Sequence, residues 1–325
     1  MLTPDSAWRV VLKHVRPLDP TIRPLKDAVG FCLSRDLRAD RDMPPANRSA
    51  MDGFAVCASD LAQAPCRLRL IGEVAAGRAP RRSVAPGTCV RILTGANIPR
   101  GADTVVMVED TEEGDGFVAV RSPVPAGANV LLRGENARRG DVLLRKGMRL
   151  DSMRIGVCAA VGQARVAVHA RPRAAILSTG EELRAVSAGV RPHEIRNSNG
   201  PAIRAALLQW GYPEVSCRRV RDDVAEIRMA LKKCMRSCHV IFLTGGVSVG
   251  KYDLVRKAVE SAGGKVQFHG VAMKPGRPLL YATWAGNRHI FGLPGNPLSA
   301  MTGLHEFGLP ALRRLSGLAA AACRP

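Results

Sequence analysis

Residues 240–250 read Val240-Ile241-Phe242-Leu243-Thr244-Gly245-Gly246-Val247-Ser248-Val249-Gly250, and this stretch decides how the second half of the chain must fold. Four consecutive apolar side chains leave no polar face, the pattern of a strand covered on both sides. The glycines at 245, 246 and 250 permit positive φ and close backbone approach, so the strand can turn straight into the helical pattern of 254–262. Free N–H groups at such a turn favour an anion, although the same turn can simply reverse the chain. The Gly-Lys-Ser/Thr of a P-loop and the spacing of a dinucleotide fingerprint are both missing.

Outward from this turn, short apolar strands are expected at 174–177, 215–220, 265–271 and 288–291. Helical spacing recurs at 201–210, 224–235 and 298–307. This alternation predicts a doubly wound α/β domain with a parallel sheet covered on both faces. Ligands of open α/β sheets bind outside the carboxyl ends of the strands, so the residues after each strand are the candidates. They include Thr179, Gly180 and Glu182; Asp222; Gly245, Gly246, Ser248 and Gly250; Lys274 and Arg277; and Pro294, Asn296 and Pro297. Lys274 and Arg277 flank Pro275-Gly276, so stiff backbone fixes two cations, as an anion clamp needs; two solvated loop charges are the plainer alternative. Glu182, Asp222 and Asp253 fall near the same edge, where carboxylates beside a phosphate suit Mg²⁺. Capping or first-turn charge at a helix start accounts equally well for each taken alone.

The first half reads differently. Residues 7–14 form a helical pattern behind Thr3-Pro4-Asp5. From 44 to 149, short β-type runs at 54–57, 67–74, 89–93, 104–108, 117–120 and 142–144 alternate with turn residues, which predicts a compact β unit. Residues 151–162 look helical.

Composition narrows the function classes. The chain has 325 residues, enough for two or three domains, and 46% of them are hydrophobic. No secretory leader and no membrane-length apolar run is visible, so a soluble, cytoplasmic protein without a membrane partner is expected. Net charge is +20, but 39 of the 48 basic residues are arginine, a bias that a GC-rich genome can produce. Aromatics are only 4%, so no stacking platform for nucleic acid accompanies the charge. A nucleic-acid partner is therefore not expected. The nine cysteines include no Cys-x-x-Cys pair, and Cys234, Cys238 and His239 lack a second ligand pair at zinc spacing.

Several motifs together carry a resemblance. They are Pro44-Pro45, Ser49-Ala50-Met51-Asp52-Gly53-Phe54-Ala55, Arg91-Ile92-Leu93-Thr94-Gly95-Ala96, the 244–250 run, Lys274-Pro275-Gly276-Arg277-Pro278 and Gly292-Leu293-Pro294-Gly295-Asn296-Pro297. Their order and spacing resemble the molybdopterin molybdenumtransferase family (MoeA and the gephyrin E-domain) over residues 1–315. The resemblance implies a multi-domain α/β protein: a discontinuous α/β stalk of 1–43 plus 141–170, a β-rich middle domain of 44–140, and a pterin-binding α/β domain of 171–325. The small C-terminal β domain usual in the family is expected to be absent. It further implies a Mg²⁺-dependent transferase that inserts molybdate into adenylylated molybdopterin and releases AMP and molybdenum cofactor. A homodimer is implied, each site completed by the second subunit, with a molybdopterin adenylyltransferase acting upstream. Asp52 and Thr94 match positions facing the partner's site; with Glu182, Asp222 and Asp253 they make the implied catalytic set. The last three match the acidic positions of the pterin domain and would hold the metal. Thr179, Gly180, Gly245, Gly246, Ser248, Gly250, Lys274, Arg277, Pro294, Asn296 and Pro297 would hold the substrate. One departure is Gly134-Glu135-Asn136, where the family often has an aspartate third. A pterin-binding or storage protein without catalysis is the alternative reading.

Overall fold

The computed structural model describes residues 1–246 and 253–319. Two compact units emerge: residues 37–144 form one, and residues 1–36 with 145–325 form the other. The chain thus enters the second unit, leaves to build the β-rich unit, and returns.

The β-rich unit is a six-stranded sheet in the order Thr104–Met107, Gly53–Val56, Thr88–Ile92, Cys66–Val74, Phe117–Val120, Thr111–Gly114. All of its pairs are antiparallel except Cys66–Val74 with Thr88–Ile92. Strand alternation puts Phe54, Val56 and Val106 into one core and Ala55, Val90, Ile92 and Val105 into another. Gly53 is required by contact: a Cβ there would meet the Val106 carbonyl oxygen in the neighbouring strand. Five of the six runs read from the sequence are strands of this sheet, the sixth, Val142–Leu144, pairs with Leu37–Arg38 instead, and Thr111–Gly114 completes the sheet through a tight turn into Phe117–Val120. Its Thr-Glu-Glu-Gly sequence has no apolar alternation, which is why pattern reading passes over it.

The second unit is built on a six-stranded sheet in the order Val215–Val220, Ala174–Thr179, Val240–Thr244, Arg288–Leu293, Leu280–Trp284, Lys265–His269. The first four strands are parallel. The expectation of a wholly parallel sheet needs correction at one side. Leu280–Trp284 was not foreseen; it runs antiparallel to both neighbours and joins Arg288–Leu293 through a short turn. That turn holds Gly286 and Asn287 at positive φ, a hairpin rather than a crossover helix.

Both faces are covered. Ile176, Phe242, Phe291 and Leu293 pack with Ile203 and Leu207 of the helix Asn199–Gln209 and with Phe307 and Leu312 near the C-terminal end of the unit. Leu177, Ile241, Leu243 and Ile290 pack on Ile227 and Leu231 of Val224–Met235 and on Val255 and Val259 of Leu254–Ala262. Each large side chain buried this way contributes roughly 1.5–3 kcal/mol. Ala7 and Val11 of the first helix, Pro4–His14, belong to the first of these cores. Five helices start on side-chain caps, with Thr3, Asp151, Asp223, Asp253 and Asn296 each accepting a backbone N–H.

Candidate functional site

Parallel strands side by side end at one edge, and there the chain forms a cleft of about 300 Å³. Its floor is backbone. Thr179 and Thr244 are the buried last residues of adjacent strands, and the Thr179 hydroxyl donates to the Thr244 carbonyl at 3.4 Å. Gly245 follows at φ +89°, and a Cβ there would lie 2.2 Å from the Thr179 carbonyl oxygen. Only glycine lets these two turns approach so closely. Gly295 approaches from the other side, with its notional Cβ 3.9 Å from the Gly245 Cα.

The walls carry amides and hydroxyls. A small parallel pair, Leu183–Arg184 with Ile195–Arg196, brings Asn197, Ser198 and Asn199 to the cleft just before the helix Asn199–Gln209. Asn197 accepts the Gly200 amide at 3.0 Å. Asn199 donates to the Gly295 carbonyl at 2.8 Å, and its own side-chain oxygen is buried with no hydrogen-bond partner. Asn296 caps the helix Pro297–Gly303 by accepting the Ser299 amide. Such a wall can satisfy a flat ligand with donors and acceptors along its rim.

Of the residues expected from sequence, Thr179, Glu182, Gly245, Asn296 and Pro297 line this cleft. Gly180 and Gly246 adjoin it at positive φ, while Pro294 lies buried behind Gly295. Ser248 and Gly250 lie outside the described residues. Lys274 and Arg277 are exposed on the loop after Lys265–His269, at the same edge of the sheet, and neither forms an ion pair among the described residues. They are not part of the cleft wall. Asn197, Ser198 and Asn199 were missed. They follow no major strand, and only the polar run ahead of a helix could have signalled them.

The three acidic residues differ in circumstance. Glu182 is exposed in the cleft wall. Asp222 follows Val215–Val220, and its Oδ1 is buried without a hydrogen-bond partner. Asp253 is already committed: one oxygen caps Leu254–Ala262 at the Arg256 amide, and the other lies 3.0 Å from His269 Nδ1. Among the described residues, no three His, Cys, Asp or Glu side chains are gathered to hold a metal. The trio is therefore not gathered as one ligand set among the described residues, where each Asp253 oxygen already has a partner. Glu182 and Asp222 do keep free oxygens, and that number suits Mg²⁺ when phosphates and water complete its shell.

In the β-rich unit, Asp52 and Thr94 are both exposed and hydrogen-bonded. The Thr94 amide and hydroxyl each donate to Asp52 Oδ1 at 2.6 Å. The hydroxyl first, and then the amide, hold the Asp52 carboxyl below the usual carboxylate range. Both residues sit in turns that follow or precede core strands, with Gly95 at φ +80° beside Thr94.

A doubly wound α/β unit with a glycine-floored cleft is a small-molecule binding domain, and the comparisons specify its kind. Residues 175–314 match the model of a probable molybdopterin binding domain, and residues 2–162 match that of the MoeA N-terminal region, domains I and II. The chain is 36% identical to a molybdopterin molybdenumtransferase of Staphylococcus epidermidis, over 99% of this chain and 77% of that protein. Against the Bacillus subtilis molybdopterin molybdenumtransferase it is also 36% identical, over 95% of this chain and 74% of the relative. A solved molybdopterin biosynthesis MoeA protein from Pyrococcus horikoshii superposes with a TM-score of 0.84 at 29% identity, covering 98% of this chain and 80% of its own. The chain belongs to the molybdopterin molybdenumtransferase family.

Proposed function

We propose that this protein inserts molybdate into adenylylated molybdopterin, releasing AMP and molybdenum cofactor. The glycine-floored cleft between Thr179, Gly245 and Gly295 carries the reading, because it lies within the residues that match a molybdopterin binding domain. The amides of Asn197, Asn199 and Asn296 pair with the hydrogen-bonding edge of the pterin, and the close backbone at Gly245 admits its flat ring. Lys274 and Arg277, exposed and without acidic partners among the described residues, hold the oxyanions of phosphate and molybdate. The pterin dithiolate is the soft ligand that captures molybdenum, so no protein thiol is needed.

Glu182 and Asp222 are the residues that would hold Mg²⁺ together with phosphate oxygens. When bound, the ion supplies charge neutralisation as the adenylate leaves. Asp253 acts by positioning, as it fixes the start of its helix and the His269 ring.

The ionised Asp52, with Thr94, serves the cleft of a second subunit in a homodimer. Residues 1–43 and 141–170 form the stalk through which the subunits meet. An upstream molybdopterin adenylyltransferase supplies the substrate, in the cytoplasm. No described helix is long and apolar enough to cross a membrane. The test is AMP release from adenylylated molybdopterin with Mg²⁺, measured with and without molybdate. Molybdate-dependent AMP release is expected, and its absence from folded protein would overturn the reading.

A further inference from the structure

A cavity of about 160 Å³ lies at the opposite edge of the sheet from the cleft and shares no residue with it. Arg171 and Tyr212 in its wall precede the parallel strands Ala174–Thr179 and Val215–Val220, which places it at their amino ends. The wall holds Arg149, Arg171 and Arg313 and no carboxylate. Two glycine turns bring the first two together. A Cβ on Gly30, at φ +80°, would lie 2.9 Å from Arg171 Nη2 and 3.5 Å from Arg149 Nη2. One on Gly211, at φ +86°, would lie 3.1 Å from Arg149 Nη2. Arg171 donates to the Val29 carbonyl at 2.8 Å and lies 3.9 Å from the centre of the Phe31 ring, where Arg23 lies at 4.2 Å. The Arg149 guanidinium has no acceptor and no acidic partner among the described residues. Burial first, then the charges of Arg149 and Arg23, push the Arg171 pKa below its usual range; the opposing effects of Tyr212 and Glu214 are smaller. Tyr212 is only 7% exposed, and burial pushes its pKa up to about 12, so it keeps its proton. Its hydroxyl accepts from Ser316 at 3.4 Å, while Ser316 also donates to the Leu312 carbonyl at 2.8 Å. The tyrosine proton thus has no acceptor of its own among the described residues.

We propose that this cavity binds a small inorganic oxyanion of phosphate or sulfate size, separate from the oxyanions of the reaction. Guanidiniums crowded together at a half-buried site cost free energy until an anion neutralises them. Arg149 and Arg171 supply planar donor forks and Tyr212 a neutral donor fixed by burial, the set that takes the oxygens of a tetrahedral anion. The volume admits one such ion with a few waters and excludes a nucleotide. The ion joins segments far apart in the chain. Arg171 follows the strand Arg165–His169, which pairs with Pro20–Pro24, whereas Tyr212 leads into the α/β sheet and Ser316 ends its last helix, Leu309–Leu315. Occupancy therefore holds that strand pair against the sheet and stabilises the unit.

Thermal unfolding of the full chain in phosphate, sulfate or chloride, matched for pH and ionic strength, tests this and shows which oxyanion is preferred. The salts are kept at millimolar concentration, below the range in which they stabilise proteins by exclusion. At least one oxyanion should raise the Tm by a few degrees over chloride, with a rise that saturates. Arg149→Gln should raise the half-saturating concentration about tenfold, the loss of one charge-assisted contact. In chloride the same variant should hold or raise the Tm, because one of the crowded charges is gone. A Lys274→Gln/Arg277→Gln protein, without the cation pair assigned to the reaction, should keep the full response. Neither oxyanion exceeding chloride, an unchanged response or a lower Tm in chloride for Arg149→Gln, or loss of the response in the Lys274→Gln/Arg277→Gln protein would each overturn the proposal. No arm reads AMP release, so this site and the proposed function fail separately.

Discussion

Thr94 gives both its amide and its hydroxyl to a single oxygen of Asp52, at 2.6 Å each. The two donors stabilise the ionised carboxylate, so Asp52 keeps its charge to lower pH than an ordinary aspartate. Replacing Thr94 by Val removes one donor and leaves the other. The Asp52 carboxyl should then protonate at higher pH, and the acid limb of the activity profile should move up with it. A carboxyl carbon NMR titration of both proteins checks this, and an unchanged Asp52 midpoint would refute the hydroxyl's role.

Gly245 leaves no room for a side chain above the Thr179 carbonyl. Gly245→Ala must either move that carbonyl or open the turn, and φ +89° adds backbone strain of order 1–3 kcal/mol. A lower Tm and weaker molybdopterin binding are expected together. Gly295→Ala has ordinary clearance from the Gly245 backbone and should leave the Tm nearly unchanged. Equal tolerance of both substitutions would show that the floor is not tightly packed.

Asp222 keeps a buried oxygen without a hydrogen-bond partner. In the ligand-free protein this is a cost, and in a metal-binding protein it is a waiting ligand. Asp222→Asn should hold or slightly raise the Tm while lowering AMP release by tenfold or more and raising the Mg²⁺ concentration needed. Unchanged Mg²⁺ dependence would remove Asp222 from the metal's ligands.

Buried His289 should make the second unit acid-sensitive. Burial is the main cause that depresses its pKa to about 3, and the His14 and His239 rings add to it. Its Nδ1 lies 3.0 Å from the Tyr281 hydroxyl and its Nε2 lies 3.2 Å from Asn287 Oδ1. The neutral ring thus accepts from tyrosine and donates to the amide oxygen. The unfolded chain protonates this histidine below about pH 6.5, and the folded chain does not until near pH 3. The unfolded state therefore binds more protons in that window, and stability falls as pH drops through it. His289→Gln should flatten the dependence of Tm on pH between about 6.5 and 4. An equally steep profile would assign the acid sensitivity elsewhere.

Much of this molecule is legible in its sequence because its signals are local. Four apolar residues at 240–243, bounded by the turn glycines at 245 and 246, read as a short strand buried on both faces, and Val240–Thr244 is one. Thr3 and Asp253 sit just before helical spacing and cap those helices, as short polar side chains do. Reading the residues after each strand found Thr179, Gly245 and Asn296, since parallel strands bring their ends to one edge. Other features depend on contacts between distant residues. The antiparallel return of Leu280–Trp284 is set by pairing with both neighbours, which no single stretch encodes. Asn197 and Asn199 reach the cleft through a two-residue ladder whose sequence carries no strand pattern. Whether a carboxylate is free is likewise a tertiary matter. Asp222 and Asp253 look alike in sequence, but His269 and a helix amide occupy one of them, and burial leaves an oxygen of the other unbonded. Periodicity fixes which face of an element is buried, and only packing decides which polar atoms are left for a ligand.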